Sequence, residues 1–459
     1  MELIPVKKNE EYIVDIIDNG YQGEGIAKID NYIIFIPYAL KGEKVKVKIL
    51  KVTTSHAYGK IIEIIVKSEN RVQEDCSTYK KCGGCNLRHI DYSETLKIKK
   101  SNVESCLKKV NLKDIKINDC IGMKMPLYYR NKLQYPVGIS ENGNPVMGVF
   151  TERSHNIIDT KECKIQNQEC QIIANDIFKF ITENNIDVYN EKNLKGTIRH
   201  IIIRIGIKTN EIMVILVTNE KKINKEKELI QYLTRKHKEI KTIVKNINNK
   251  NTNVILGKEN EVLYGNGYIY DFLGDYKFKI SPMSFYQVNP IQTEVLYNKA
   301  IEYANLTGTE TIFDLYCGIG TIGLFASKHA SKLYGIEIIE QAIQDAKENA
   351  EINNVKNAEF FAGDVEKLLP EFIKKQNIMP DVIFIDPPRK GLDETTIKTI
   401  LSIKPKKMVY ISCNPATLAR DLSKLIEAYN IKEITPVDMF PYTSHVECVT
   451  VLYRKNFEK

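Results

Sequence analysis

Short runs with apolar side chains at every second position open the chain, separated by glycine. EYIVDIIDNG, GIAKID, YIIFIPYAL, EKVKVKIL and YGKIIEIIV follow this pattern, with turns at Asn19-Gly20 and Gly23-Glu24-Gly25. Period two predicts strands with one buried face, and their density over residues 1–65 predicts a small closed β-barrel. In EKVKVKILKV, Lys44, Lys46 and Lys48 share one face and the valines the other. A solvated face explains any one of these lysines, while a basic stripe on a barrel is a common way to hold an RNA backbone.

The pattern then mixes. A helical period covers Tyr92–Val110. RNKLQYPVGI and NPVMGVF read as a hairpin around Asn142-Gly143, and TIRHIIIRIG and EIMVILVTN as a second joined by Lys208-Thr209-Asn210. KEKELIQYLTRKHK predicts a helix, and the Asn/Lys stretch Lys245–Thr252 a loop. From about residue 290 the rhythm changes. TIFDLYC, KLYGIEI, AEFFAGD, DVIFIDP and KMVYISC are β-branched runs of the kind buried in a parallel sheet, alternating with helical stretches such as IEQAIQDAKENAEINN. That alternation predicts a doubly wound α/β unit.

Composition changes this picture in few places. At 459 residues the chain exceeds one ordinary core, so several domains are expected. The net charge of +8 fits a lysine-rich surface as well as a polyanion partner. No apolar run approaches the roughly 20 residues of a membrane span, and the N-terminus lacks the apolar core of a signal peptide. A cytoplasmic protein with no membrane association is expected, and its ten cysteines are expected as thiols. Cys76, Cys82 and Cys85 crowd together as a metal site would, whereas Cys317, Cys413 and Cys448 stand singly.

The first α/β strand runs into Asp314-Leu-Tyr-Cys-Gly318-Ile-Gly320-Thr-Ile-Gly323, a glycine-rich turn before a helix. Glu337 closes the second strand, where an acidic residue grips ribose hydroxyls. These features alone suit a nicotinamide cofactor and S-adenosylmethionine equally. Asp314 tips the balance, because a carboxylate there repels a pyrophosphate and suits a cationic cofactor. Asp386-Pro387-Pro388-Arg389 follows the fourth strand, at the same sheet edge. Cys413 ends the fifth strand just before a helix expected near Thr417, and a thiol near a helix N-terminus can be shifted toward the thiolate. A cysteine at that edge suits addition to carbon 6 of uracil, which makes carbon 5 nucleophilic enough to accept a methyl group. A base must then remove the carbon-5 proton. FPYTSHVEC supplies His445 and Glu447, and spacing does not choose between them.

Together SCNPATLARD, DPPRKGLD, DLYCGIGTIGL and FPYTSHVECV resemble the RNA uracil-5 methyltransferase family over essentially the whole chain. The resemblance implies a TRAM domain, an OB-like RNA-binding barrel, over 1–66. It implies a mixed α+β central domain over 67–280 and a Rossmann-like S-adenosylmethionine-dependent methyltransferase domain over 281–459. By the same resemblance Cys413 is the nucleophile and Glu447 the base. Gln287, Tyr316, Glu337 and Asp386 contact S-adenosylmethionine, and Phe285 holds the flipped-out base. The family has Phe where this chain has Tyr316, which keeps the ring. Cys76, Cys82, Cys85 and Cys163 match the [4Fe–4S] ligands of the ribosomal-RNA branch. Spacing alone leaves zinc open, and leaves Cys170 as a rival fourth ligand. Cys106 and Cys120 read as ordinary thiols. The implied activity is methylation of carbon 5 of uridine in 23S ribosomal RNA by a monomer. The alternatives are a transfer-RNA uracil-5 methyltransferase and an N-methyltransferase on a nucleic-acid amino group.

Overall fold

The computed structural model describes residues 4–376 and 378–455. Its first sheet has six strands in the order Glu11–Asp15, Lys44–Val52, His56–Val66, Tyr32–Ile36, Gly25–Ile29, Asp18–Asn19. Val14, Ala27, Ile34, Val47 and Ile49 fill the interior, as the alternation requires. The two end strands are successive pieces of one segment, which changes partner at Ile16 and Ile17. Ile16 N–H bonds Glu43 O and Ile17 N–H bonds Ile26 O, each at 2.8 Å. The sheet therefore curls on itself, but among the described residues no ladder joins its ends, and this replaces the closed barrel expected from the sequence. The lysine stripe is partly neutralised. Lys46 meets Glu11 at 2.7 Å and Lys44 meets Asp15 at 3.6 Å, which weakens its reading as an RNA track.

The second sheet has seven strands in the order Ile157–Asp159, Pro145–Phe150, Lys132–Ile139, Ile198–Ile205, Ile212–Thr218, Ile240–Ile247, Glu259–Tyr264. Both expected hairpins are present, and helix Glu226–Lys236 lies where its period placed it. Lys245–Ile247, expected as the start of a loop, instead finish a strand. Lys245 is held by Glu226 and Glu261, each at 2.9 Å, and the Asn246 amide donates to Gly257 O at 3.0 Å and Asn260 Oδ1 at 2.8 Å. Polar side chains can occupy a buried strand when each finds a partner.

The third sheet carries the chemistry-bearing motifs. Its order is Ala358–Ala362, Lys332–Glu337, Thr311–Leu315, Val382–Ile385, Lys407–Ser412, Glu447–Arg454, Tyr429–Val437, Lys116–Ile117. The first five strands run parallel, so their carboxyl ends share one edge. Glu447–Arg454 runs antiparallel to Lys407–Ser412 and starts at that same edge. Helix Tyr92–Lys109, capped by Asp91 accepting from Ser93 N–H at 2.9 Å, packs against helix Pro415–Leu425. Lys116–Ile117 then joins the far edge beside Tyr429–Val437. The segment between the first and second sheets is thus built into the third.

Candidate active site

The glycine-rich turn leaves strand Thr311–Leu315 at the active edge. Gly320 sits at φ 81° where the chain enters helix Thr321–Ser327, a conformation that favours glycine, and a Cβ there would press within 3.2 Å of Phe360. Asp314 lies buried beneath the turn. Its Oδ2 accepts from Gly323 N–H at 2.8 Å and its Oδ1 has no partner. Burial pushes Asp314 up to about 8, the Asp386 and Glu337 charges adding to the rise while the Gly323 bond opposes it. Glu337 Oε2 accepts from Gly318 N–H at 3.3 Å and its Oε1 from Ile339 N–H at 3.0 Å. Asp386, half-buried after strand Val382–Ile385, is pushed up to about 7 by burial. Asp386 and Glu337 thus stand close enough for their charges to act on Asp314, and a cationic ligand beside them would relieve that repulsion. S-adenosylmethionine, a sulfonium carrying an ammonium, fits that demand; a pyrophosphate does not. Tyr316 stands at the turn with φ 65°, its phenol pushed up to about 12 chiefly by burial. Gln287 and Phe285 come from the loop after hairpin Ile269–Leu273/Tyr276–Ile280. Phe285 is 70% exposed, while Ser284 Oγ ties the loop to Asp345 at 2.9 Å.

Cys413 and Glu447 are brought together by strand register. Ser412 pairs with Cys448 across the antiparallel ladder, so the next step places Cys413 opposite Glu447. Cys413 is half-buried and Glu447 buried. The helix that follows begins at Pro415, capped by Asn414 accepting from Ala416 N–H at 3.1 Å. Asn414 Nδ2 also donates to Arg389 O at 3.2 Å, and Arg420 donates to Lys390 O at 2.8 Å. The Pro-Pro turn is therefore pinned to the helix behind Cys413. The expected lowering of the thiol pKa is not what the site produces. Burial, with the Glu447 and Asp386 charges, pushes Cys413 up to about 11, while the Arg389 charge and a backbone hydrogen bond pull it back in part. Burial likewise pushes Glu447 up to about 8, Asp386 raising it and Arg389 lowering it. His445 is exposed, and the charges that act on it are those of Arg389 and Lys99.

The segment leading to Glu447 is held from outside the α/β unit. Lys99, fully buried on helix Tyr92–Lys109, meets Asp438 at 2.5 Å and donates to Phe440 O at 3.1 Å. Tyr92 OH donates to the other Asp438 oxygen at 2.8 Å. Lys99→Met should destabilise the protein by about 3–5 kcal/mol, because it leaves a buried carboxylate uncompensated. Urea denaturation checks this. A loss below about 1 kcal/mol would mean that the pair is not desolvated.

The tRNA (uracil-5-)-methyltransferase family matches residues 91–455, and the TRAM domain matches residues 5–62. The chain belongs to the tRNA (uracil-5-)-methyltransferase family. It is 50% identical over 457 residues to an uncharacterized RNA methyltransferase of Clostridium acetobutylicum, covering 99% of each chain. It is 46% identical to another from Halalkalibacterium halodurans, covering 98% of this chain and 99% of that one. Among solved structures, it resembles the Pyrococcus abyssi tRNA (uracil-54, C5)-methyltransferase in complex with S-adenosyl-L-homocysteine. That likeness has a TM-score of 0.77 and 28% identity, and covers 96% of this chain and 100% of the other.

Family membership bears out the expected resemblance, the N-terminal TRAM domain, the S-adenosylmethionine-dependent methyltransferase fold and RNA uracil-5 methyltransferase activity. No helix among the described residues is long and apolar enough to cross a membrane. The four cysteines singled out from the sequence line one cavity, together with Tyr79, Arg88 and Ile165. Cys170 does not; it sits in the first turn of helix Gln168–Glu183, buried in the core. Among the described residues no three ligating side chains stand close enough to hold a metal ion, so the cluster is not borne out. The all-thiol donor set around one cavity nevertheless fits a sulfur-ligated cluster better than a hard cation.

Two neighbours of the site escaped the sequence. Tyr21, on the Gly20–Gly25 turn of the TRAM domain, stands near enough to Cys413 and Arg389 for their charges to act on its phenol. That turn is held by Asn86 Nδ2, which donates to Gln22 O at 2.5 Å and to Ser444 Oγ at 3.0 Å. Nothing in the period of the strands marks Tyr21. Arg389 stood in the DPPRKGLD motif without a role, and a cation right after an acidic turn was the available signal.

Proposed function

We propose that this protein methylates carbon 5 of a uridine in 23S ribosomal RNA through a covalent adduct on Cys413, with Glu447 as the base. The observation that carries the reading is the register placing Cys413 across from Glu447 at the edge where Asp314, Glu337 and Asp386 converge. In this reading Gln287, Tyr316, Glu337 and Asp386 hold S-adenosylmethionine, which when bound supplies an electrophilic methyl group. Phe285, exposed beside the cleft, packs against the base once it has left its stack. The Cys413 thiolate adds to carbon 6, and electron density moves to carbon 5. Once carbon 5 carries the methyl group, Glu447 takes its proton. The carbon 6–sulfur bond then breaks, and Cys413 leaves as thiolate. Arg389 favours the ionised forms of both residues, the thiolate that adds and the carboxylate that must be ionised to accept the proton. Cys76, Cys82, Cys85 and Cys163 would hold a [4Fe–4S] cluster whose chemistry is to cross-link their loop to the segment around Cys163. The protein would act in the cytoplasm as a monomer.

The test is mass spectrometry of the denatured protein after incubation with S-adenosylmethionine and 5-fluorouridine-substituted 23S ribosomal RNA. A stable RNA–protein adduct is expected, because fluorine cannot be removed as a proton. The transfer-RNA reading is favoured by the Pyrococcus structure, so the same assay is run with 5-fluorouridine transfer RNA. An adduct with that RNA alone would replace the substrate assignment.

The pH dependence follows from the carboxyl group. Glu447 acts ionised, and its raised pKa of about 8 lowers the active fraction below that pH. Single-turnover resolution of the adduct should therefore rise about tenfold per unit from pH 6 to 7 and level off above 8. A flat profile over pH 6–8 would exclude Glu447 as the titrating base.

A further inference from the structure

Resting on the RNA-methyltransferase reading, we propose that Lys132, backed by Arg130 and Arg204, binds a backbone phosphate of the target RNA strand beside the loop that carries Phe285. Lys132 opens strand Lys132–Ile139 and pairs in register with Arg204 of Ile198–Ile205. Like charges directly opposite in a ladder repel, so the pairing costs stability unless something answers it. Arg204 is buried and spends its guanidinium on the carbonyls of Ser281 and Ser284, at 2.8 and 2.6 Å. Those bonds shape the loop, but they do not neutralise the cation.

Among the described residues no carboxylate pairs with Lys132, and Arg204 and Arg130 are the charges that act on it. Arg130 has its buried Nε without an acceptor. Between them, Asn131 stitches this strand to the loop: its N–H donates to Val288 O at 2.9 Å and its Nδ2 to Gln287 O at 3.0 Å. Lys132 and Arg204 line one small cavity with Asn131 and Tyr286, and the next residue before Tyr286 is the exposed Phe285. Lys132 and Arg204, with no carboxylate paired to either among the described residues, therefore border the segment assigned to the flipped base, and Arg130 adds a third positive charge beside them. An anion is the missing partner, and a phosphodiester of the bound strand is the anion an RNA substrate brings to that place.

The experiment compares the whole protein with Lys132→Met and Lys132→Arg. RNA affinity is measured against salt with the substrate that forms the 5-fluorouridine adduct, or with a 23S ribosomal RNA fragment if none does. S-adenosylmethionine affinity is measured in parallel by calorimetry. At 0.15 M salt, Lys132→Met should weaken RNA binding about tenfold and flatten the slope of log K against log salt by about 1. Lys132→Arg should restore both, and S-adenosylmethionine affinity should stay within about twofold. Thermal stability of Lys132→Met should not fall, since the change removes a like-charge contact. An unchanged salt slope overturns the proposal. So does a loss confined to S-adenosylmethionine affinity, which would make the cluster the seat of that molecule's carboxylate. A changed slope in a protein that forms no uracil adduct would sustain the phosphate site and reject the covalent chemistry.

Discussion

Cys413→Ala should lower methyl transfer by roughly 10⁴-fold or more and abolish the 5-fluorouridine adduct, while RNA and S-adenosylmethionine affinities stay within about threefold. Carbon 5 of uracil is too weak a nucleophile to take a methyl group unaided, so the loss falls on the chemical step. The thiols of Cys448 and Cys317 are poor substitutes. Cys448 is fully buried one step along the ladder, Cys317 is buried beneath the glycine-rich turn, and burial raises both thiols well above their ordinary range. Single-turnover kinetics beside binding assays separate the two effects. Methyl transfer that survived the substitution would bring forward the amino-group methyltransferase, which needs no thiol.

Glu447→Gln should behave in the opposite way toward the adduct. With ordinary uridine RNA, addition and methylation proceed, but the carbon-5 proton has no acceptor and the protein stays joined to its substrate. Turnover should drop about 10²–10⁴-fold, and a covalent RNA–protein band should persist on a denaturing gel. The substitution also removes a charge that raises Cys413, so the thiol becomes more acidic and adduct formation should not slow. Near-normal turnover would show that the proton leaves by another route, with the exposed His445 the nearest rival in sequence.

The α/β unit was legible because its strands are continuous β-branched runs, and the turns that end them carry the acidic and thiol side chains. Glu447 could not be told from His445 by spacing; burial separates them, and burial depends on which residue falls inward as the strand begins. Lys245 and Asn246 hid a strand because polar composition says loop unless the partners are known, and those partners come from two other segments, Glu226 from a helix and Asn260 and Glu261 from the neighbouring strand. The surroundings of Cys413 were hidden for a related reason. A helix N-terminus is visible in sequence, but the burial that raises the thiol, and the Glu447 and Asp386 charges that add to it, arise only in three dimensions. Lys99 and Asp438 lie 339 residues apart, so no local pattern could join them.

The two-residue strand Lys116–Ile117 has a consequence for how the protein behaves in a crowded solution. Tyr429–Val437 is a nine-residue strand that would otherwise offer its unpaired amides and carbonyls to any passing chain. Lys116–Ile117 covers part of that edge and is itself too short to serve as a template for further pairing. Lys116, reaching Glu433 at 2.8 Å, adds an ion pair at the same border. A segment supplied from far upstream in the chain thus also guards the catalytic sheet against edge-to-edge aggregation.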